Sequence, residues 1–169
     1  MVWTFRSARM KRLLLGSNAR LTLLRAAALT LTAVVVFGYV LLPIRLQGVS
    51  MQPTYTDGTL NFANRAAFWW RGPARGDVVA IRMAGPRVMY VKRVIGLPRE
   101  RVEIVMGVVT INGEPLVEPT VVYKAAWNLP VFTLGDDEYL VIGDNRAMAM
   151  ENHDFGRATR DRIVGTMLF

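Results

Sequence analysis

The sequence predicts one apolar helix followed by a mostly β domain. Three observations carry this expectation: a charge-free run of 19 residues from Ala26 to Ile44, short β-type runs after residue 45, and turn signals between those runs. Charge follows the same division. The formal charge is +8, yet Arg6, Arg9, Lys11, Arg12, Arg20, Arg25 and Arg45 all precede the first acidic residue, Asp57. The remaining basic residues nearly match the 13 acidic ones, so the body of the protein is balanced. A nucleic-acid-binding domain would carry a basic stripe across that body, and the sequence offers none. The chain of 169 residues has no cysteine, which removes disulfides and thiolate metal sites from consideration.

The apolar run 26–44 would span about 28 Å as a helix, close to the hydrocarbon thickness of a bilayer. Thr30, Thr32 and Gly38 are tolerated in such a helix, and Tyr39 falls where an interfacial ring is common. Basic residues crowd the preceding segment, so residues 1–25 are expected in the cytoplasm and 45–169 outside it. A cleaved secretory signal and a buried core helix are the competing readings. The run is longer than a signal-peptide core, no small-x-small site follows it, and six basic residues stand ahead of it. A retained anchor fits best.

After residue 45 come GTLNFANRAAF, GDVVAIRM, VMYVKRVIG, RVEIVMGVVTING and EYLVIGD. Apolar β formers alternate with polar residues in these runs. Asp57-Gly58, Gly76-Asp77, Gly85-Pro86, Asn112-Gly113 and Gly135-Asp136 punctuate them. Asn112-Gly113 predicts a hairpin turn, and Met106-Gly107 predicts another just before it. No stretch after residue 60 has a helical period of helical length.

With no cysteine and one histidine, His153, the chemistry narrows. A Ser-His-Asp triad would have to use His153, and its setting, HDFGR, has no recognisable zinc-ligand pattern. Beyond the apolar run Ser50, in GVSMQPT, is the only serine. A serine hydroxyl attacks poorly unless a base accepts its proton. A lysine can be that base when burial favours its neutral amine. Lys92 is flanked by Tyr90, Val91, Val94 and Ile95, and outside the N-terminal segment the one other lysine is Lys124. Strand alternation puts Lys92 opposite Val91 and Arg93, so one basic group can point inward while the other reaches solvent. A solvated strand lysine is the plainer reading of the same residues.

Four stretches together resemble the boxes of type I signal peptidases. Ser50-Met51-Gln52-Pro53-Thr54 is similar to the nucleophile box, and Arg75-Gly76-Asp77-Val78-Val79 to the second box. Tyr90-Val91-Lys92-Arg93-Val94-Ile95-Gly96-Leu97-Pro98 is similar to the box of the general base, and Gly143-Asp144-Asn145-Arg146 to the start of the last. They stand in family order behind an apolar run. The resemblance implies a signal-peptidase-like β catalytic domain with a small β-hairpin cap, about 99–142, holding a hairpin or two around Val102 to Leu116. It implies a Ser/Lys dyad that removes signal peptides from exported preproteins after small residues of the Ala-x-Ala type. Ser50 would be the nucleophile and Lys92 its base. The Ser50 backbone N–H would serve the oxyanion hole, Gly48 being a position without a side-chain donor.

Ile44, Leu46, Tyr55, Tyr90 and Val91 would line the substrate pockets, although core packing explains each as readily. Asp144, Asn145, Arg146, Glu151 and His153 would support the site. The last box departs from the family where Ala149 replaces the serine that orients the lysine, and where Glu151, Asn152 and His153 replace an aspartate, a serine and an arginine. Glu151 could pair with a protonated His153, and His153 as the base itself is a sharper alternative. The implied location is the bacterial cytoplasmic membrane, with signal peptides and the lipid bilayer as partners. No nucleic acid, metal or other cofactor is implied, and oligomeric state is left open.

Rival readings are a specialised relative that matures conjugative pilins, a non-catalytic membrane-anchored signal-peptide-binding module, and an anchored DNA- or lipid-binding protein. Phe68-Trp69-Trp70-Arg71 suits either an interfacial contact or a β core. The sequence assigns nothing to Trp127.

Overall fold

The computed structural model describes residues 18–82, 89–122, 124–152 and 156–168, and the chain divides after Val40 into two compact units. The first contains helix α1, Ala19–Val35, which continues as a π-helical turn over Val36–Val40. Asn18 caps α1, its side chain accepting from the backbone N–H groups of Arg20 and Leu21. The segment Ala19–Val40 has 22 residues and a mean hydropathy of 1.9, long and apolar enough to cross a membrane. None of its window is buried, and apolar residues occupy all sides, as a lipid-facing helix requires.

The helix does not occupy 26–44 as the charge-free run suggested. It begins earlier, at the Asn18 cap, and ends at Val40, because Leu41–Arg45 form strand β1. Pro43 lacks the N–H that a continuing helix would need there. Instead β1 pairs antiparallel with β2, Leu60–Asn64, and Ile44 is buried.

The second unit holds the remaining strands: β3 Val78–Arg82, β4 Met89–Gly96, β5 Arg101–Val105, β6 Val108–Ile111, β7 Glu114–Pro115, β8 Leu129–Thr133, β9 Glu138–Ile142, β10 Gly156–Thr159 and β11 Ile163–Met167. A seven-stranded sheet has the order β1-β2-β11-β3-β4-β9-β10, and a four-stranded sheet the order β7-β6-β5-β8. The domain is mostly β, and among the described residues its helical segments are short 3₁₀ turns. Both hairpin turns form where the sequence placed them. Met106-Gly107 and Asn112-Gly113 each have two consecutive residues at positive φ, the backbone that joins twisted strands in two-residue loops.

The small sheet shares one apolar core with the large one. Val102, Ile104, Val109 and Ile111 of β5 and β6 pack with Ile95, Leu140 and Ile142 of the large sheet. The expected cap of 99–142 is therefore too long at its C-terminal end, since β9 is a strand of the large sheet. The cap strands run from Arg101 to Thr133, and β8 adds a fourth strand to the hairpins foreseen. A second apolar cluster, including Ile44, Leu46, Met51, Ala80 and Val91, lies beneath the loop after β1. That cluster fixes the floor of the site.

Candidate active site

Ser50 sits in the loop joining β1 to β2. The loop is closed at its base by Leu46 N–H to Thr59 (2.9 Å) and Gly58 N–H to Leu46 (2.9 Å). Gly48 adopts φ +95°, and its N–H donates to Asp57 Oδ1 at 2.8 Å. That donor is thus already engaged within the loop. Met51, 4% exposed, anchors the next residue in the apolar cluster below. From the other side, Asn145 reaches the nucleophile segment twice. Its backbone N–H donates to the Ser50 carbonyl (3.0 Å) and its side-chain amide to the Val49 carbonyl (3.0 Å).

Lys92 lies in β4, paired with Val79 of β3, and is only 3% exposed. Taking an ammonium out of water is costly and favours the neutral amine. Lys92 Nζ stands 5.8 Å from the ring centroid of Tyr90, two residues back on the same face of the strand. Ser50 and Lys92 line one cavity of about 800 Å³. Ile44, Leu46, Tyr55, Tyr90 and Val91 line it too. So do Leu42, Met51, Met89 and Met148, which the sequence did not single out. Burial pushes the Tyr55 phenol above its ordinary value; Arg93 opposes this and Asp144 reinforces it.

Arg93 is largely shielded from solvent rather than freely exposed as the alternation argument suggested. Its side chain is 14% exposed and grips Asp144 with two hydrogen bonds, Nε to Oδ1 at 2.7 Å and Nη2 to Oδ2 at 2.6 Å. The opposite face of β4 is covered by the segment after β9, which carries the carboxylate there. This bond holds the guanidinium above the ordinary arginine value. Asp144 also accepts the Thr54 hydroxyl at 2.5 Å, which ties the end of the nucleophile loop to β4 through one buried carboxylate.

Arg146 serves elsewhere. It is 2% exposed, donates to the Gly143 carbonyl (2.9 Å), and pairs with Glu118 at 2.6 Å. Glu151 is exposed in the 3₁₀ turn Met150–Asn152, and Ala149 is exposed beside it. The partner expected of Glu151, His153, lies outside the described residues. Phe68 is buried between the guanidinium groups of Arg71 (5.4 Å) and Arg160 (5.1 Å), whereas Trp69 and Trp70 are 59% and 83% exposed. Phe68 therefore follows the core reading, and Trp69 and Trp70 are not part of that core.

Thr54, Arg93, Met148 and Trp127 were missed as site residues. Thr54 and Arg93 lie inside the quoted boxes, and that membership was the only signal for them, since their partner Asp144 is distant in the sequence. Met148 and Trp127 carry none.

An apolar helix followed by a β domain in which a serine and a buried lysine line one cavity fits a serine peptidase. The match to known proteins is specific. The family described as "Signal peptidase, peptidase S26" matches residues 19–169, and the chain belongs to that family. It is thereby a serine endopeptidase of the signal peptidase I type. A signal peptidase I of Bacillus amyloliquefaciens is 37% identical over 138 residues, 75% of this chain and 72% of that one. Signal peptidase I T of Bacillus subtilis (strain 168) is 35% identical over 150 residues, 82% of this chain and 78% of that one. A crystal structure of a signal peptidase I from Enterococcus faecalis V583 is 26% identical, with a TM-score of 0.46, and covers 58% of this chain and 98% of that chain.

Proposed function

We propose that this protein is a membrane-anchored endopeptidase that removes signal peptides from exported preproteins with Ser50 as nucleophile and Lys92 as general base. One observation carries the reading: the sole serine after the apolar helix and a lysine 3% exposed line the same cavity. The neutral amine of Lys92 takes the proton from Ser50 Oγ as the oxygen attacks the substrate carbonyl. The Ser50 backbone N–H donates to the oxyanion that develops. The ammonium then returns its proton to the departing amine, leaving an ester on Ser50. Lys92, neutral again, activates the water that hydrolyses the ester.

Ile44, Leu46, Tyr55, Tyr90 and Val91 form the walls that restrict the substrate to small side chains of the Ala-x-Ala type. Asp144, Asn145 and Arg146 hold the surrounding loops. The helix Ala19–Val40 anchors the enzyme in the bacterial cytoplasmic membrane, with the basic N-terminus in the cytoplasm and the β domain outside. Trp69 and Trp70 touch the lipid interface, where an aromatic ring with one polar edge is most stable.

The test uses the full chain in liposomes with a preprotein bearing an Ala-x-Ala site. Ser50→Ala and Lys92→Ala should each abolish cleavage while leaving the protein folded. Cleavage at the parent rate by Lys92→Ala would remove the dyad. Tight binding of the signal peptide by the parent without turnover would make the protein a binding module instead.

A further inference from the structure

Resting on that reading of Ser50 and Lys92, we propose that Met148 is a specificity-determining wall of the cleavage cavity, and that Trp127 is the residue that positions it. The argument starts from how firmly the segment 145–148 is held. On one side Asn145 binds the Ser50 and Val49 carbonyls, and its Oδ1 accepts the Ala147 N–H at 3.3 Å. On the other side, the Trp127 indole Nε1–H donates to the Met148 carbonyl at 2.8 Å. Met150, two residues on, packs against the core shared by the two sheets. Met148 stands between these fixed points and lines the same cavity as Ser50 and Lys92.

Trp127 is a fixed post rather than a surface ring. It is 4% exposed and belongs to the shared core with Ile104, Val109 and Ile111. A buried indole must place its single donor, and the Met148 carbonyl receives it. The Trp127 carbonyl in turn accepts the Gly107 N–H at 2.9 Å, which locks its segment to the β5–β6 turn. Gly107 has φ +79°, and a Cβ there would run into the Ala125 carbonyl, so only glycine lets the two segments approach. Ala125 N–H also donates to the Arg146 carbonyl at 2.8 Å, and Arg146 stands 5.7 Å from the Trp127 ring centroid. The small sheet is thereby coupled to one wall of the cavity by several independent bonds.

A wall that cannot retreat discriminates by size. A substrate side chain one or two methylenes too large meets Met148, whose backbone is held, so only a change of its side-chain rotamer relieves the overlap. Shortening the wall creates room for that side chain, and a methylene in such a pocket is worth about 10-fold or more in kcat/KM. Met148→Leu keeps the volume, and Met148→Ala removes it.

The experiment measures kcat/KM of the full chain in detergent micelles against two peptide series. One varies the residue before the cleaved bond, and the other varies the residue two before it, each from Ala to Val and Leu. Met148→Ala should raise the Val- or Leu-to-Ala ratio by about tenfold in one series, while Met148→Leu keeps the parent ranking. Trp127→Phe, which keeps the ring and loses the donor, should shift the ranking in the same direction as Met148→Ala. An unchanged ranking in both series for Met148→Ala overturns the proposal, whatever Trp127→Phe does. A Trp127→Phe that folds, with an unchanged thermal midpoint, and keeps the parent ranking removes Trp127 from it. Ser50→Ala is run alongside: its full activity would fail the dyad reading, and its inactivity with an unchanged Met148→Ala ranking would fail only the present one.

Discussion

Replacing Asp144 with alanine should lower the thermal midpoint by about 9 °C. The carboxylate has a side-chain exposure of 0% and faces the Arg93 guanidinium, itself 14% exposed, across two short hydrogen bonds. Removing one member of a buried pair costs about 3–5 kcal/mol, because the other charge stays desolvated and unpartnered. Thr54 would lose its charged acceptor as well, a bond worth about 1.5–3 kcal/mol. Arg93 retains some access to water, and the two losses overlap, so about 3 kcal/mol is the working figure. At about 3 °C per kcal/mol for a chain of this size, the shift follows. The assay is a thermal scan of the full chain in detergent, followed by near-UV circular dichroism, with Arg93→Met, Asp144→Leu and their double variant Arg93→Met/Asp144→Leu completing a cycle beside it. The double variant should be more stable than Asp144→Ala, since a well-packed apolar pair leaves no charge stranded. A midpoint for Asp144→Ala within about 2 °C of the parent, or strictly additive losses in the cycle, would refute the reasoning.

Asn145→Ala should reduce kcat by about 10-fold to 100-fold with a small change in midpoint, because its side chain holds the Val49 carbonyl beside the nucleophile; single-turnover cleavage measures this. Tyr55→Phe should leave the alkaline side of the pH–rate profile unchanged up to about pH 10, since burial keeps the phenol protonated past its ordinary value near 10. Trp69→Ser/Trp70→Ser should lose the quenching of tryptophan fluorescence by lipids brominated near the headgroup; equal quenching in parent and variant would detach these rings from the bilayer.

The elements that the sequence displayed best were those fixed by local rules. Alternation and β-branched residues marked the strands, and the backbone demands of Asn112-Gly113 and Met106-Gly107 marked both hairpins. Where a tertiary partner decides, local rules failed. Leu41 to Ile44 are as apolar as the helix before them, and only pairing with β2 makes them a strand. Period two told that Lys92 and Arg93 face opposite ways, but not that a carboxylate from a distant loop covers the second face. Ser50 and Lys92 stood out as candidates because a chain with no cysteine and one histidine leaves few groups able to do the chemistry, and because both fall in boxes that resemble the family's. Trp127 was invisible as a site residue because its part is played by one N–H aimed at a carbonyl 21 residues away. Glu151 was assigned a support role by its place in a motif, and its exposure reflects the short 3₁₀ turn that carries it.

The central claim is that the amine of Lys92 activates the hydroxyl of Ser50. It is tested most directly by the rate at which an acylating β-lactam-type inhibitor adds to Ser50, followed by the mass of the intact protein and of its Ser50 peptide. The account predicts one adduct on Ser50 in the parent and a rate about 10²-fold to 10⁴-fold lower in Lys92→Ala, as expected when a nucleophile loses its base. Acylation of Ser50 at the parent rate without the lysine, or an adduct on any other residue, would contradict it.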